Sequence, residues 1–179
     1  MSDALRVAFV CTGNRFRSPL AAALLESDTE GLPLEIASLG TLDLGAEPAL
    51  PEAVALAEEL GVDLAAHRAR TVAAEDLSAY DLVVGFERKH VVSSVVEGGA
   101  SIERTFTLPE LVGLLREAAE TPPSARDRIH AAHELRPPGF RNAPLPELPD
   151  PLGRSAPEQR EIANRLADLV SELRDELFA

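Results

Sequence analysis

The sequence predicts an α/β protein with a parallel sheet that is covered by helices on both faces. Short apolar runs typical of buried strands alternate along the chain with longer segments of helical composition. Strand–helix–strand units of this kind join parallel strands through right-handed crossovers. With 179 residues, the chain suffices for one well-buried domain and is too short for two ordinary ones. We therefore expect a single domain over residues 1–179.

Four short apolar runs are the candidate strands of this sheet. They are residues 5–10, 34–38, 81–86 and 105–108. The first and third consist almost entirely of apolar residues, which is typical of strands that are buried on both faces.

Segments of helical composition follow the candidate strands. Residues 20–26 are rich in Ala and Leu, and Pro19 suits the first turn of their helix, where its missing N–H costs nothing. Residues 51–60 predict a helix that ends at Gly61. The later helices are predicted to begin near Glu87, to cover residues 109–119, and to cover residues 156–177 with one apolar face.

One proline-rich segment interrupts the alternation of strands and helices. Nine of the 14 prolines lie within residues 122–157, among charged residues and two histidines. We interpret residues 121–149, approximately, as an insertion that runs over the surface, with one short helix over residues 125–134. We do not interpret it as a second domain.

The composition excludes several classes of partner and cofactor. The formal net charge of −13 disfavours non-specific binding to nucleic acid or to anionic membranes, since both depend on positive charge. The single cysteine, Cys11, excludes an internal disulfide, a CxxC redox pair and a cysteine-rich zinc site. No apolar run reaches the length of a membrane span, and the first residues do not resemble a secretory signal. We expect a cytoplasmic protein.

The loop between the first strand and the first helix carries the strongest functional signal. Backbone N–H groups and a helix N-terminus at such a loop form a concavity that binds anions. Gly13 and Asn14 tolerate the positive φ angles that the loop requires, and Arg17 presents a planar fork that matches two phosphate oxygens. The same positive field favours the thiolate form of Cys11. A thiolate beside a bound phosphate is a nucleophile directed at phosphorus.

These residues resemble a known signature. The run Cys11-Thr12-Gly13-Asn14-x-x-Arg17-Ser18-Pro19 is similar to the C-x-G-N-x-x-R-S-P motif of the low-molecular-weight protein tyrosine phosphatases. The resemblance continues in the family's order through Ser38 after the second strand, the H-x-A-R run of residues 67–70 and the Asp-Pro pair of residues 150–151. It implies a three-layer, flavodoxin-like fold with a four-stranded parallel sheet.

The resemblance also implies a role for each matching residue. Cys11 would attack phosphorus, Arg17 and the loop amides would hold the phosphoryl oxygens, and Asp150 would protonate the leaving group and later activate water. The implied phosphate-binding residues are Thr12, Gly13, Asn14, Arg15, Phe16, Arg17 and Ser18. The residues implied to hold the loop in shape are Asn14, Ser18, Ser38 and His67. Neither a metal nor a cofactor is implied. A phosphorylated protein or a small phosphomonoester would be the substrate, and inorganic phosphate or sulfate could occupy the loop.

Two positions in the loop depart from the family pattern. Relatives usually carry a small or apolar residue and then a second cysteine where this chain has Arg15 and Phe16. Without that second cysteine, Cys11 cannot form the protective disulfide that some relatives form, so we expect it to be open to over-oxidation. Arg15 could recruit an anionic group that flanks the phosphate, or it could close off the pocket.

The segment after the Asp-Pro pair also departs from the pattern. Relatives that act on phosphotyrosine often place aromatic residues there to hold the ring, whereas Leu152 and Gly153 follow here. Phe16, Phe86 and Phe140 are the candidates for an aromatic wall in their place. Some relatives act on phosphoarginine, so this substrate stays open beside phosphotyrosine.

Two other functions use the same residue types. An arsenate reductase on this scaffold needs thiols to carry its product onward; a relay of its own cysteines is excluded, whereas an external small thiol is not. Asp150 has an obvious task in expelling an alcohol and a less clear one in reduction, which favours the phosphatase. A non-catalytic phosphate-binding module is disfavoured because Cys11, Arg17 and Asp150 are all present.

Overall fold

The computed structural model describes residues 4–118 and 122–178. Its four parallel strands lie in the order β2-β1-β3-β4. The strands are β1 (Leu5–Cys11), β2 (Leu34–Gly40), β3 (Leu82–Gly85) and β4 (Thr105–Thr107). The helices are α1 (Arg17–Asp28), α2 (Pro51–Glu59), α3 (Arg88–Val96), α4 (Leu108–Glu117), α5 (Ala125–Glu134) and α6 (Ala156–Phe178).

The central strand β1 divides the core into two parts. Val7 and Phe9 contribute to the larger cluster on one face of the sheet, whereas Ala8 and Val10 contribute to the smaller cluster on the other. This alternation follows from the two-residue period of a strand, and all four side chains are fully buried. Both faces of β1 therefore need a covering layer, as its continuous apolar run predicts.

Helices cover both faces of the sheet, and the predicted three-layer fold is confirmed. On the face of the larger cluster, α6 packs against α1, α2, α4 and α5, and its buried residues form one apolar stripe. On the other face, α3 lies against β1, β3 and β4, next to two short 3-10 helices, Val72–Ala74 and Leu77–Ala79. None of the helices in the described residues is both long enough and apolar enough to cross a membrane.

The element boundaries differ from the predictions at the edges of the functional loop. Helix α1 begins at Arg17, two residues before Pro19, which was predicted to lie in its first turn, because the end of the loop already has helical geometry. Strand β2 continues to Gly40, so Ser38 lies within it and does not follow it. Three predictions concern residues outside the described part of the chain. They are the end of the fourth helix at Ala119, the start of the insertion at residue 121, and the lack of a secretory signal in residues 1–3.

The proline-rich segment is anchored to the rest of the molecule. It contains α5, which has the predicted bounds and contributes Ile129 and Ala132 to the larger core cluster. Beyond α5, the buried guanidinium of Arg136 pairs with the Glu110 carboxylate, at 2.9 Å from Nε to Oε1. It also stacks on Phe106 of β4. The sequence suggested that this segment runs over the surface, whereas part of it is packed into the core.

Candidate active site

The loop from Cys11 to Arg17 joins the carboxyl end of β1 to the first turn of α1. Asn14 has a φ of 52°, a left-handed conformation that Asn adopts more readily than most residues. A Cβ atom on Gly40 of the neighbouring strand would lie 3.0 Å from both the Asn14 nitrogen and the Thr12 carbonyl oxygen. Any side chain at position 40 would therefore have to displace the backbone of the loop slightly from β2. In the described part of the chain, the amides of Gly13, Arg15 and Phe16 donate to no acceptor.

The Cys11 sulfur lies at the base of this loop and is almost fully buried. The Asn14 backbone N–H donates to Sγ at 3.2 Å, and the Ser18 hydroxyl oxygen lies 3.0 Å from Sγ. The sulfur thus lies next to a backbone N–H donor and a hydroxyl, at the N-terminal end of α1. The surroundings thus suit a nucleophilic sulfur.

The Asn14 side chain holds the loop against three neighbouring segments. Its amide nitrogen donates to the Ser18 hydroxyl at 2.8 Å and to the Ser38 hydroxyl at 3.0 Å, while its Oδ1 accepts from the Arg70 backbone N–H at 2.8 Å. His67 Nε2 lies 2.6 Å from the Asn14 carbonyl oxygen and must be the donor of this bond. Asn14, Ser18, Ser38 and His67 therefore lie in one hydrogen-bonded network.

His67 contributes to this network in its neutral form. Burial lowers the pKa of His67 and the charges of Arg68 and Arg70 lower it further, although the bond to Asn14 acts in the opposite direction. A neutral ring with its proton on Nε2 still makes the bond to the Asn14 carbonyl. The network therefore does not depend on a charged histidine.

The Arg17 guanidinium is the most strongly constrained charged group of the site. Its side chain is only 2% exposed. Nη1 donates to Glu87 Oε2 at 2.7 Å and to the Leu148 carbonyl oxygen at 3.0 Å, which uses both of its hydrogens. Nη2 lies 3.1 Å from Asp150 Oδ2, and Nε has no acceptor among the residues the structure describes. The Nε–Nη2 edge is the pair of donors that can bind two oxygens of one phosphate.

Glu87 anchors Arg17 as a carboxylate. Burial raises the pKa of Glu87, but the hydrogen bond from Arg17 and the positive charge of Arg17 outweigh it and bring the pKa below its ordinary value. Lys89 Nζ lies 3.2 Å from the same carboxylate oxygen. Glu87 therefore stays ionised at neutral pH and fixes the orientation of the guanidinium.

Asp150 reaches the pocket at the end of a strap, which we define as residues 146–150. The Thr107 hydroxyl donates to the Pro146 carbonyl oxygen at 2.6 Å, and the Leu148 N–H donates to the Phe86 carbonyl oxygen at 2.8 Å. The strap thus runs beside the carboxyl ends of β4 and β3. It brings Asp150 next to Arg17 although the two residues are far apart in sequence.

A pocket of about 150 Å³ opens between the loop and the strap. Its polar lining includes Cys11, Thr12, Arg17 and Asp150, and its apolar lining includes Leu42, Leu44, Leu50, Leu152 and Phe16. Arg15 also lines it, but Arg15 Nε donates to the Pro48 carbonyl oxygen at 2.7 Å and Nη2 lies 3.8 Å from Glu47. The guanidinium of Arg15 is thus directed to the neighbouring segment, and its side chain closes one side of the pocket.

The three phenylalanines proposed for an aromatic wall lie in different places. Phe16 lines the pocket and is otherwise buried. Phe86 is fully buried, with its ring centre 5.7 Å from the Arg17 guanidinium carbon. Phe140 packs on Arg136 and is not among the residues that line the pocket. Leucines provide most of the wall instead, and the side chain of Leu152 is exposed at its edge.

Two residues of the site, Glu87 and His90, were not predicted from the sequence. His90 Nε2 lies 3.0 Å from the Thr12 hydroxyl oxygen, and Glu87 holds Arg17 as described. Both residues follow β3, whose carboxyl end lies beside that of β1. Because functional residues gather at this edge of a parallel sheet, polar residues directly after a buried strand could have indicated them.

The chain is similar in sequence to known proteins. Residues 6–128 match the family described as low molecular weight phosphotyrosine protein phosphatase. A protein-arginine-phosphatase of Geobacillus stearothermophilus is 35% identical over 108 residues, which are 60% of this chain and 71% of the relative. The low molecular weight protein-tyrosine-phosphatase Etp of Escherichia coli K12 is 35% identical over 85 residues, which are 48% of this chain and 56% of the relative.

The similarity extends to solved structures. The crystal structure of a low molecular weight protein tyrosine phosphatase from T. tengcongensis matches this chain with a TM-score of 0.73 and 28% sequence identity. The match covers 97% of this chain and all of that one. The fold is thus shared over nearly the whole length of the chain.

Proposed function

The chain belongs to the low molecular weight phosphotyrosine protein phosphatase family of cysteine-dependent hydrolases, and we propose that it hydrolyses phosphotyrosine in proteins through a phosphocysteine at Cys11. One observation carries this proposal. The Cys11 sulfur, the Nε–Nη2 edge of Arg17 and the Asp150 carboxyl group all line one pocket that is about 150 Å³ in volume. A nucleophile, an anion-binding group and a proton donor are the three parts that the reaction needs.

Binding depends on the loop amides and on Arg17. A phosphoryl group beside Cys11 would accept hydrogen bonds from the unpaired amides of Gly13, Arg15 and Phe16 and from the open edge of Arg17. The N-terminus of α1 adds a favourable field for the negative charge. Because these donors are fixed before substrate binds, they also stabilise the charge that spreads over the phosphoryl oxygens in the transition state.

The first chemical step transfers the phosphoryl group to sulfur. The Cys11 thiolate forms a bond to phosphorus while the bond between phosphorus and the leaving oxygen breaks. Asp150, in its protonated form, gives its proton to that oxygen, and the free alcohol or phenol leaves. The products of this step are a phosphocysteine and an Asp150 carboxylate.

The second step returns the enzyme to its starting state. Asp150 accepts a proton from a water molecule as the water oxygen attacks phosphorus, and the bond between sulfur and phosphorus breaks. Inorganic phosphate and the Cys11 thiolate are formed. The Asp150 carboxyl group is protonated again, so protons and charge balance over the cycle.

Ser18 assists the departure of the sulfur in this second step. Its hydroxyl has one proton and two nearby acceptors, Cys11 Sγ at 3.0 Å and the Leu39 carbonyl oxygen at 3.1 Å. A hydrogen bond to an ionised acceptor is roughly twice as strong as one to a neutral acceptor. The proton therefore turns to Sγ when the thiolate forms and to Leu39 when Cys11 is phosphorylated.

The walls of the pocket favour an aromatic phosphate ester. Leu42, Leu44, Leu50 and Leu152 present aliphatic surface on which the face of a phenyl ring can be buried. Two arginines and one carboxylate, Asp150, line the same pocket. Asp150 already lies 3.1 Å from Arg17 Nη2, so little negative charge is left for the guanidinium of a phosphoarginine, which disfavours this substrate.

Phosphoarginine is the second candidate, and one comparison favours it. The protein-arginine-phosphatase of Geobacillus stearothermophilus and Etp are both 35% identical to this chain, but the first matches over 108 residues and the second over 85. Asp150 could pair with the guanidinium of that substrate. Arsenate reduction with an external thiol would use the same loop and is the third arm of the test below.

The deciding experiment compares three substrates. We expect the wild-type protein to hydrolyse phosphotyrosine peptides with a higher kcat/KM than matched phosphoarginine peptides, and to show no thiol-dependent loss of arsenate. Cys11→Ser should abolish all turnover. A preference for phosphoarginine would transfer the proposal to the second candidate. Hydrolysis that survives in Cys11→Ser would overturn both.

A further inference from the structure

His90 lies beneath the phosphate loop, where the mechanism above assigns it no task. It is fully buried at the start of α3. Its Cβ atom packs closely against Gly85, since a Cβ atom added to Gly85 would lie only 2.8 Å from it. Nδ1 accepts hydrogen bonds from the backbone N–H groups of Phe86, at 3.2 Å, and Glu87, at 3.1 Å. The position of the ring is therefore set by the backbone at the end of β3.

These contacts fix which nitrogen of His90 carries the proton. A ring nitrogen that accepts from two N–H groups cannot carry a hydrogen, so the proton of the neutral ring is on Nε2. Nε2 lies 3.0 Å from the Thr12 hydroxyl oxygen and 3.6 Å from Glu87 Oε2, so Thr12 is the acceptor of its hydrogen bond. The Thr12 oxygen therefore receives a proton from His90.

The direction of the Thr12 hydroxyl proton follows. Since its oxygen already accepts from His90, the hydroxyl has its own proton left to donate, and no acceptor for it lies within residues 4–118 and 122–178. Thr12 lines the pocket beside Cys11 and Arg17. The pocket is the direction in which this hydroxyl can find an anionic acceptor.

We propose that the Thr12 hydroxyl, oriented by His90, donates a hydrogen bond to the phosphoryl group in the pocket. Thr12 is then a side-chain donor to the substrate, in addition to the loop amides and Arg17. His90 is a positioning residue that acts through Thr12. This inference deepens the proposed function and rests on it for the identity of the anion.

The charges around His90 keep this arrangement constant over the working pH range. Burial lowers the pKa of His90 to about 3, with a further contribution from the positive charge of Arg17 and an opposing one from Glu87. Lys89 is the other charged group that acts on the ring, and it also lowers the pKa. The ring is therefore neutral at neutral pH, with a donor on Nε2 alone.

The test combines changes at the two positions. Thr12→Val removes the hydroxyl while keeping the shape of the side chain, and Thr12→Ser keeps the hydroxyl. His90→Asn retains a carbonyl oxygen near the position of Nδ1, so it can still accept from the Phe86 and Glu87 amides, but it has no group that reaches Thr12. His130→Asn on the exposed face of α5 is the matched control.

The main readout is the affinity for inorganic phosphate. It is measured from the rise in melting temperature with phosphate concentration, a measurement that needs no turnover. We expect Thr12→Val to weaken phosphate binding by about tenfold to a hundredfold, the usual worth of a hydrogen bond to a charged group. Thr12→Ser and His130→Asn should stay within about threefold of wild type. In a protein that keeps Thr12, His90→Asn should weaken phosphate binding about threefold to tenfold. In the double variant with Thr12→Val, it should weaken binding no further than Thr12→Val alone.

Two results would overturn the inference. One is a Thr12→Val variant that binds phosphate as tightly as wild type. The other is a His90→Asn effect of the same size with and without the Thr12 hydroxyl, which would assign His90 a purely structural role. Normal phosphate binding by a wild-type protein that does not hydrolyse phosphotyrosine would overturn the proposed function and leave this inference intact.

Discussion

Arg17 and Asp150 face each other across the mouth of the pocket, with Nη2 of the arginine 3.1 Å from Oδ2 of the aspartate. The contact joins the group that binds the phosphoryl oxygens to the group that handles the proton of the leaving oxygen. Glu87 and the Leu148 carbonyl oxygen hold the other side of the same guanidinium. Arg17 thus sets the position of Asp150, while its Nε and the second hydrogen of Nη2 remain available for phosphate.

Replacing Asp150 by Asn tests its role in proton transfer. Asn has the same shape but cannot donate an acidic proton, so we expect kcat/KM on phosphotyrosine peptides, which reports the first chemical step, to fall by about 10²- to 10⁴-fold. The loss should be smaller on p-nitrophenyl phosphate, whose phenolate leaves readily without a proton. Steady-state kinetics on both substrates measure the difference, with Asp168→Asn on the exposed side of α6 as control. Equal losses on the two substrates would argue against an acid at position 150.

Glu87→Gln tests the anchoring of Arg17. The neutral amide can still accept one hydrogen bond, but it loses the charge that holds the guanidinium at 2.7 Å. We expect the inhibition constant of inorganic phosphate to rise by about tenfold, since charge-assisted bonds are worth more than neutral ones. Glu97→Gln, at the exposed end of α3, should leave it unchanged. Unaltered phosphate inhibition in Glu87→Gln would show that Arg17 is held without this carboxylate.

His90 gives the folded protein a characteristic dependence on pH. Its pKa is about 3 in the folded state against an ordinary value of 6.5, so between these values the unfolded chain binds a proton that the folded chain excludes. Stability from this group therefore falls with decreasing pH, by up to about 1.4 kcal/mol per pH unit. Urea unfolding of wild type and His90→Asn between pH 6.5 and pH 4.5 should show a flatter dependence in the variant. The same slope in both would contradict the assignment.

Oxidation of Cys11 should be difficult to reverse. Because Cys11 is the only cysteine, a sulfenic acid formed on it has no partner thiol in the chain and can proceed to sulfinic acid. We expect mild peroxide to remove activity that dithiothreitol restores only in part, with sulfinic acid on the Cys11 peptide by mass spectrometry. Introducing Phe16→Cys, at the position where relatives carry a second cysteine, should increase the recoverable fraction. Full recovery of the wild type by thiol, without a sulfinic product, would count against this prediction.

Much of the fold could be predicted because it follows from local patterns. The apolar runs indicate β1 and β3, and the short helix of the proline-rich segment has its predicted bounds. The loop from Cys11 to Arg17 was also accessible, since its residues are consecutive and their relation to the strand before and the helix after is local. Asp150 was accessible only through its resemblance to a family motif.

The remaining residues of the site depend on contacts between distant parts of the chain. Glu87 and His90 reach the loop because β3 lies beside β1, a pairing that neither residue indicates by itself. Phe16 lines the pocket as one of the three aromatic candidates, but the leucines that form most of its wall were not predicted, for the same reason. Three of its leucines, Leu42, Leu44 and Leu50, come from the segment after β2, and their proximity to Cys11 follows from the register of β1 and β2.

The central claim is that catalysis proceeds through a phosphoryl group on Cys11. Its most direct test is rapid quenching of Asp150→Asn in an alkaline denaturant, which preserves the acid-labile bond between sulfur and phosphorus, during turnover of p-nitrophenyl phosphate, followed by mass spectrometry of the peptide that contains Cys11. The good leaving group allows the first step without an acid, whereas the second step lacks its base. We predict a phosphorylated Cys11 peptide together with a burst of nitrophenol. Turnover without any phosphorylated Cys11 and without a burst would contradict the account.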